Sequence, residues 1–111
     1  MKPFALALLI SLAATACLPA RGASQTQNGQ RARGALVFSD SGCHQCHTIR
    51  HQGGTKGPDL SGVGRRLNDG QIRAQVTAGS KQMPAFGAIL KQSELEDLVA
   101  YLHSCRDKTK K

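Results

Sequence analysis

Two cysteines and one histidine stand within five consecutive residues, Cys43-His44-Gln45-Cys46-His47. The spacing C-x-x-C-H is the sequence signature of covalent haem attachment. The chemistry requires this spacing, because two thiols bond to one edge of the porphyrin while the adjacent imidazole lies beside the iron. We therefore predict one covalently bound haem c, held through Cys43 and Cys46, with His47 as the proximal iron ligand.

Three other interpretations compete for this stretch. A thioredoxin-like redox site needs a preceding strand, whereas residues 34–40 have the pattern of a helix end. A structural zinc site needs a second pair of closely spaced ligands, and the remaining candidates, His51, His103 and Cys105, form no such pair. A chance coincidence of residue types is the third. The methionine and the N-terminal segment described below favour haem over all three.

Few aromatic side chains are available to fill a core. The chain has 111 residues, with three Phe, one Tyr and no Trp, and this length has room for one domain. Domains of this size bury only about 60–65% of the surface that the unfolded chain exposes. A porphyrin would supply the missing apolar surface, so the small core and the C-x-x-C-H stretch point to the same interpretation.

The chain is basic, with a formal net charge of +8. Such a positive net charge favours binding to acidic protein partners or to anionic membrane surfaces. Nucleic acid is disfavoured as a partner, because the basic residues are scattered and aromatic residues are not interleaved with them.

The N-terminus has the order of a secretory signal. In residues 1–16 a lysine precedes a short apolar run, and small residues follow it. The run is shorter than the 20 or so residues that span a membrane, so an uncleaved anchor is the lesser alternative. Cys17 follows at once, and Ala14-Thr15-Ala16-Cys17 is similar to a lipoprotein lipobox, so Cys17 is a candidate lipid anchor and ordinary cleavage is the alternative. Residues 17–29 have the composition of a flexible tether.

The pattern of residues 30–105 predicts an all-α domain. Asn28 is placed to cap a first helix that ends near Asp40, and Asn68-Asp69-Gly70-Gln71 forms a capping box for a short helix that Gly79 ends. Ser93-Glu94-Leu95-Glu96 forms a second box, followed by apolar residues at the helical spacing of Leu95, Leu98, Val99 and Leu102. No alternating strand pattern is present, and residues 106–111 are predicted to be a frayed basic tail.

A second iron ligand is expected at Met83. Pro84 disfavours helical geometry in the residue before it, so Met83 should lie in an extended loop that projects its thioether. A methionine that merely fills a core gap is the alternative. The rival side chains are less well placed: His44 and His51 lie near the proximal side, and His103 falls within the last helix.

At this point the sequence resembles the bacterial class I cytochromes c over residues 30–104. Four motifs carry the resemblance, in this order: Cys43-x-x-Cys46-His47, Gly57-Pro58-Asp59-Leu60, Met83-Pro84-Ala85-Phe86 and Asp97-Leu98-Val99-Ala100-Tyr101-Leu102. The resemblance implies a small fold of three to four helices around one haem.

The family pattern also implies contacts. The first and last helices should cross, with Gly34 and Phe38 meeting Leu98 and Tyr101.

On the haem itself, the Pro58 carbonyl should accept a hydrogen bond from the proximal histidine, and Leu60 should pack on the porphyrin. Arg65 and Arg66 are candidates for contacts with the propionates, although solvated loop arginines are the equal alternative.

The function that follows is an exported one-electron carrier, periplasmic or tethered on the outer side of the membrane, that docks on acidic patches of redox partners and catalyses nothing itself. The alternatives are a haem-c subunit of a larger oxidoreductase and a haem enzyme or gas sensor with an open sixth position. Cys105 is left over, and a partly buried inert thiol is favoured over an intermolecular or reactive one.

Overall fold

The structure, a computed structural model, describes residues 22–108. The elements in chain order are α1 (Gly22–Asp40), a single 3-10 turn (Cys43–Gln45), β1 (Thr48–Ile49), β2 (Gln52–Gly53), α2 (Val63–Arg66), α3 (Asp69–Ala78) and α4 (Gln92–Ser104). The predicted all-α class is confirmed. None of the helices in this part of the chain is both long and apolar enough to cross a membrane. The predicted signal segment 1–16, Cys17 and the end of the tail lie outside the described residues.

The first helix begins earlier than predicted. It starts at Gly22 rather than at Asn28, so most of the stretch predicted to be a flexible tether is helical. The stretch from Gly22 to Asp40 contains no proline and several good helix formers, but residues 25–28 are exposed. Apolar periodicity therefore could not reveal this part of the helix, because such periodicity marks a buried helix face.

The third helix follows its sequence signals. Asn68 accepts a hydrogen bond from the Gln71 N–H at 2.9 Å, and the Gln71 side chain accepts from the Asn68 N–H at 3.0 Å. Ile72 and Val76 are both buried, and the helix ends at Gly79. The predicted capping box and its apolar face are confirmed.

The N-cap of the last helix is Lys91, two residues before Ser93, where the predicted box placed it. The Lys91 N–H donates to Glu94 Oε2 at 2.9 Å, and the helix runs from Gln92. Ser93 is therefore not the cap that its S-x-x-E pattern suggested. Glu96, the acidic residue of that pattern, instead accepts from Arg73 of α3 at 2.7 Å, so a contact with another helix outweighed the local signal.

The first and last helices cross, as the resemblance implied. A Cβ on Gly34 would lie 2.0 Å from the Asp97 carbonyl oxygen and 2.6 Å from Tyr101 Cβ, so the two backbones meet where only glycine fits. Phe38 packs edge-on against Tyr101, with ring centroids 5.8 Å apart. Arg33 adds an ion pair to Asp97 at 2.9 Å.

The core is a single small cluster. Its buried members are Phe38, Val63, Ile72, Val76, Leu95, Leu98, Val99, Leu102 and Cys105. Cys105 is only 4% exposed and its thiol donates to the Tyr101 carbonyl at 3.5 Å. The interpretation of Cys105 as a buried thiol is confirmed, and burial raises its pKa, which keeps the thiol protonated.

Two short strands were not predicted. β1 and β2 pair antiparallel, with Ile49 opposite Gln52. The residues of the connecting turn, Arg50 and His51, both have positive φ, 48° and 66°, which a two-residue hairpin of this hand demands. Strands of two residues are too short to show alternation, and the turn lacks the usual Asn-Gly signal.

The C-terminal tail was predicted to be frayed from residue 106. This prediction is wrong for Arg106 and Asp107. The Asp107 N–H donates to the Ser61 carbonyl at 3.0 Å, and the Arg106 guanidinium donates to the Gly64 carbonyl. The chain after α4 therefore stays attached to the segment around α2.

Candidate haem site

A cavity of about 1230 Å³ lies between the 3-10 turn, the loop before α2, α3 and the loop before α4. It exceeds the roughly 300–1,000 Å³ of typical small-ligand pockets. Its walls are largely apolar and include Phe38, Leu60, Val63, Leu67, Ile72, Val76, Phe86, Leu98 and Leu102. Such a space suits a large, flat, apolar cofactor.

The 3-10 turn places the three residues of the C-x-x-C-H motif at one edge of this cavity. Gly42 enters the turn with φ of 78°, and the His47 N–H donates to the Cys43 carbonyl at 2.9 Å. Cys43, Cys46 and His47 all line the cavity. Cys43 packs against the apolar core, and this burial raises the pKa of its thiol. Both thiols are therefore available to a group in the cavity.

The His47 ring is held in one orientation. Its Nδ1 lies 2.8 Å from the Pro58 carbonyl oxygen. A carbonyl can only accept, so Nδ1 carries the proton and Nε2 is left with a free lone pair for a metal. On the side of Gly57 the fit is tight, because a Cβ there would lie 2.6 Å from His47 Cε1. This is the contact between Pro58 and His47 that the resemblance implies.

Met83 lines the same cavity and is half-buried. Its carbonyl accepts from the Ser80 N–H at 2.8 Å, and its own N–H donates to Ser80 Oγ at 3.3 Å. The loop closes on α3, where the Phe86 N–H donates to the Val76 carbonyl at 3.0 Å. Met83 therefore lies in a loop, as its position before Pro84 predicted.

The rival ligands lie elsewhere. His44 and His51 are exposed and do not line the cavity, and His103 pairs with Asp69 at 2.9 Å outside it. Within residues 22–108, His47 is the only histidine and Met83 the only methionine in the cavity wall. The candidate axial pair that the sequence suggested is the pair that shares this space.

Three residues were expected to contact the haem beside the axial ligands. Leu60 lines the cavity, as expected. Arg66 also lines it and donates to the Asp59 carbonyl at 3.1 Å, whereas Arg65 does not line it. Of the two arginines considered for the propionates, Arg66 alone is in position.

Two further lining residues, Lys56 and Gln75, were not singled out from the sequence. Gln75 lies three residues after Ile72 on α3 and is exposed, and its Nε2 is 4.0 Å from Met83 Sδ. The helical spacing from Ile72 is the signal that could have indicated it.

A helical fold with a C-x-x-C-H turn at the edge of a large apolar cavity defines a c-type cytochrome. A family model described as cytochrome C oxidase, cbb3-type, subunit III matches residues 29–102. The chain belongs to this family and has the class I cytochrome c fold.

Known proteins agree with this assignment. The chain is 38% identical to cytochrome c6 of Nostoc sp. over 74 residues. The match covers 62% of this chain and 65% of cytochrome c6, so the chain spans just under two thirds of that relative's length. It is also similar to the crystal structure of the c-type cytochrome SorU from Sinorhizobium meliloti, with a TM-score of 0.60 and 26% identity over 71% of this chain and 93% of that chain. The cofactor is therefore covalently bound haem c, and the spacing of Cys43 and Cys46 fits its attachment.

Proposed function

We propose that this protein is an exported one-electron carrier in which His47 and Met83 are the two axial ligands of the haem iron. The observation that carries the proposal is that an imidazole with a free Nε2 and a thioether line one cavity whose edge holds two thiols. Haem c iron exchanges one electron between Fe(II) and Fe(III), and a methionine ligand raises its potential relative to a second histidine.

The residues of the cavity suit a carrier better than an enzyme. Within the described part of the chain the wall contains no Asp, no Glu and no histidine besides His47. General acid-base chemistry on a bound substrate needs a titratable group within hydrogen-bond reach. The described residues of the wall offer no carboxylate for such a role, and the side chain of His47 is committed to Pro58 on one ring nitrogen.

The charge at the margin supports docking on acidic partners. Lys56 and Arg66 line the cavity and are exposed, and among residues 22–108 no carboxylate lines it with them. Opposite charges on a partner would steer the encounter and would leave a transient, salt-sensitive complex.

A fixed subunit of a larger oxidoreductase is the second candidate, and the family description as an oxidase subunit favours it. The two differ in how the protein purifies. A free carrier elutes alone at moderate salt after gentle detergent extraction, whereas a subunit co-elutes with its oxidase at constant ratio.

Export rests on residues 1–16, and anchoring rests on Cys17. We propose that the mature protein begins at Cys17, with lipidation of this residue as the anchor, and ordinary cleavage without lipidation is the alternative. Mass spectrometry of the mature N-terminus tests this. A diacylated Cys17, together with release of the protein into the aqueous phase by Cys17→Ser, is expected, and an unmodified N-terminal residue contradicts the anchor.

The axial ligands are tested by visible spectra of the purified protein in both oxidation states, with haem staining of denatured protein after acid-acetone extraction. We expect stain that stays with the polypeptide and low-spin spectra in both states. A high-spin ferrous spectrum would overturn the proposed carrier and favour a sensor or enzyme with an open sixth position.

A further inference from the structure

The segment after α4 forms a clasp on the loop that carries Pro58. The Gly64 N–H donates to the Cys105 carbonyl at 2.9 Å, and the Asp107 N–H donates to the Ser61 carbonyl at 3.0 Å. At Gly62 a Cβ would lie 2.7 Å from the Asp107 carbonyl oxygen, so the two segments are in close contact. The family match covers residues 29–102, so the segment after α4 lies beyond the matched residues.

The clasp also reaches the tip of the hairpin. Asp107 accepts from Arg50 Nε at 3.0 Å, with Nη2 at 3.5 Å from its second oxygen. Arg50 and the next residue, His51, both have positive φ. Side chains disfavour this conformation, and it persists where surrounding contacts hold it. The Asp107 carboxylate is one of those contacts.

From the hairpin tip, hydrogen bonds lead directly to the residue after Pro58. The Arg50 N–H donates to Ser61 Oγ at 2.8 Å, and Ser61 Oγ donates to Asp59 Oδ1 at 2.6 Å. The Ser61 N–H donates to the same oxygen at 2.8 Å. Asp59 follows Pro58 in the chain, so these bonds fix the peptide whose carbonyl oxygen lies 2.8 Å from His47 Nδ1.

We propose that Asp107 is a positioning residue for His47. It acts through Arg50 and Ser61, which hold the loop that presents the Pro58 carbonyl. The inference rests on the proposed role of His47 as an axial ligand. A hydrogen bond to the far ring nitrogen makes an imidazole a stronger donor to its metal. A loosened clasp should therefore weaken that bond, stabilise the oxidised iron less and raise the midpoint potential.

The effect of the clasp on the Pro58 loop can be distinguished from a direct effect of its charges on the iron. This is because its two charged residues, Asp107 and Arg50, have opposite charges. Asp107→Asn removes a negative charge and Arg50→Gln removes a positive one. A direct effect of charge on the iron would shift the potential upward in the first variant and downward in the second. Loss of the clasp raises it in both. Arg50 has a side chain that is 70% exposed, so its replacement should leave the domain folded.

The chain offers a matched control in the ion pair of Arg33 with Asp97, which has nearly the same geometry, at 2.9 and 3.3 Å, but joins α1 to α4. Asp97→Asn removes the same charge and the same kind of pair without touching the Pro58 loop. A purely structural role of Asp107 would make Asp107→Asn and Asp97→Asn behave alike.

The experiment is a spectroelectrochemical titration of the full-length holoprotein and the three variants, with exchange of the His47 Nδ1 proton followed by NMR in the ferrous state. We expect Asp107→Asn and Arg50→Gln both to raise the potential and to speed this exchange about tenfold, by analogy with the roughly 10–100-fold losses of metal affinity or activity when such orienting groups are removed. Asp97→Asn should change neither. Opposite shifts in the two clasp variants, or no shift in either, would overturn the proposal. Failure of His47 ligation itself would show separately, as the absence of a haem-shifted His47 ring resonance in the unmutated protein.

Discussion

The two candidate axial ligands are held in different ways. His47 is held by its side chain, through the 2.8 Å contact of Nδ1 with the Pro58 carbonyl and by the close backbone of Gly57. Met83 is held by its backbone, through Ser80, while the polar neighbour of its sulfur, Gln75 Nε2, is 4.0 Å away. One ligand has a directed bond to its ring, and the other depends on the shape of its loop.

The cavity thus has a histidine side, with His47, and a methionine side, with Met83. The difference between them indicates which side can open. A directed hydrogen bond restricts both the position and the rotation of the imidazole, whereas a thioether accepts only weak hydrogen bonds and adapts its rotamers. The loop that contains Met83 is joined to α3 at Val76 and Thr77 by backbone bonds of 3.0 and 3.2 Å. We therefore expect the methionine side to release its ligand more readily than the histidine side.

Removal of the attachment residues should affect both sides at once and have the largest effect. Cys43→Ala combined with Cys46→Ala leaves the walls of a cavity of about 1230 Å³ without the cofactor that fills it. Small domains have a total stability of only about 5–15 kcal/mol, so we expect mostly unfolded protein by far-UV circular dichroism.

Cys105→Ala serves as the control for this variant, since Cys105 is buried outside the cavity wall. It should keep the haem attached and the helices formed. A compact, helical and cofactor-free double variant would show that the core suffices without haem.

Replacement of Met83 tests the side that is expected to open. Met83→Ala should keep the haem attached and let the ferrous iron bind carbon monoxide readily. If the unmutated protein has an open sixth position about 1% of the time, its apparent affinity for carbon monoxide is about 100-fold lower than that of the variant. Met83→His should stay six-coordinate at a lower potential.

Gln82→Ala, at the neighbouring lining residue, is the control and should leave carbon monoxide binding unchanged. Equal binding by the unmutated protein and Met83→Ala would exclude Met83 as a ligand.

Two glycines allow the sides to be disturbed one at a time. Gly57→Ala places a Cβ 2.6 Å from His47 Cε1, and Gly79→Ala places one 2.4 Å from the Met83 carbonyl oxygen at a residue with φ of 65°. Each should cost about 1–3 kcal/mol of stability, as overpacking does. Gly79→Ala should produce a high-spin fraction that binds carbon monoxide, whereas Gly57→Ala should shift the potential and keep the iron low-spin. The reverse assignment, read from the visible spectra, would contradict the difference between the two sides.

Local signals in the sequence were sufficient for much of the site. The attachment residues lie within one turn of chain, and the position of Met83 before Pro84 indicated a loop without knowledge of any neighbour. The capping box at Asn68 was found for the same reason, because its partners are three residues apart.

Contacts between residues that are distant in the chain could not be predicted from the sequence. Glu96 was assigned to a box with Ser93, but it bonds Arg73 of another helix. Asp107 was placed in a frayed tail, but it bonds Arg50, 57 residues earlier in the chain. Neither residue type nor spacing distinguishes a solvated carboxylate from one that meets an arginine across the fold.

The smallest expected effect is a pH dependence of the methionine side. Arg73 of α3 donates to Glu96 of α4 at 2.7 and 3.0 Å, and this hydrogen bond lowers the pKa of the Glu96 carboxyl below its usual 4.5. The ionised form is thus favoured in the folded state, so the pair contributes stability above pH 4.5 and loses it as the pH falls through the lowered pKa. Because α3 also carries the base of the Met83 loop, acid should loosen that loop slightly before it affects His47.

Urea unfolding of the holoprotein at neutral pH and near pH 3 measures this contribution. Glu96→Gln should lower the midpoint at neutral pH and reduce the loss of stability on acidification, since the variant has no carboxylate to protonate at that position. Glu94→Gln removes the same charge from the same helix while keeping an acceptor for the Lys91 N–H. This control should unfold in acid like the unmutated protein. An acid sensitivity that is unchanged in Glu96→Gln would mean that the pair between α3 and α4 is not the source of the acid sensitivity, and the predicted pH dependence would be wrong.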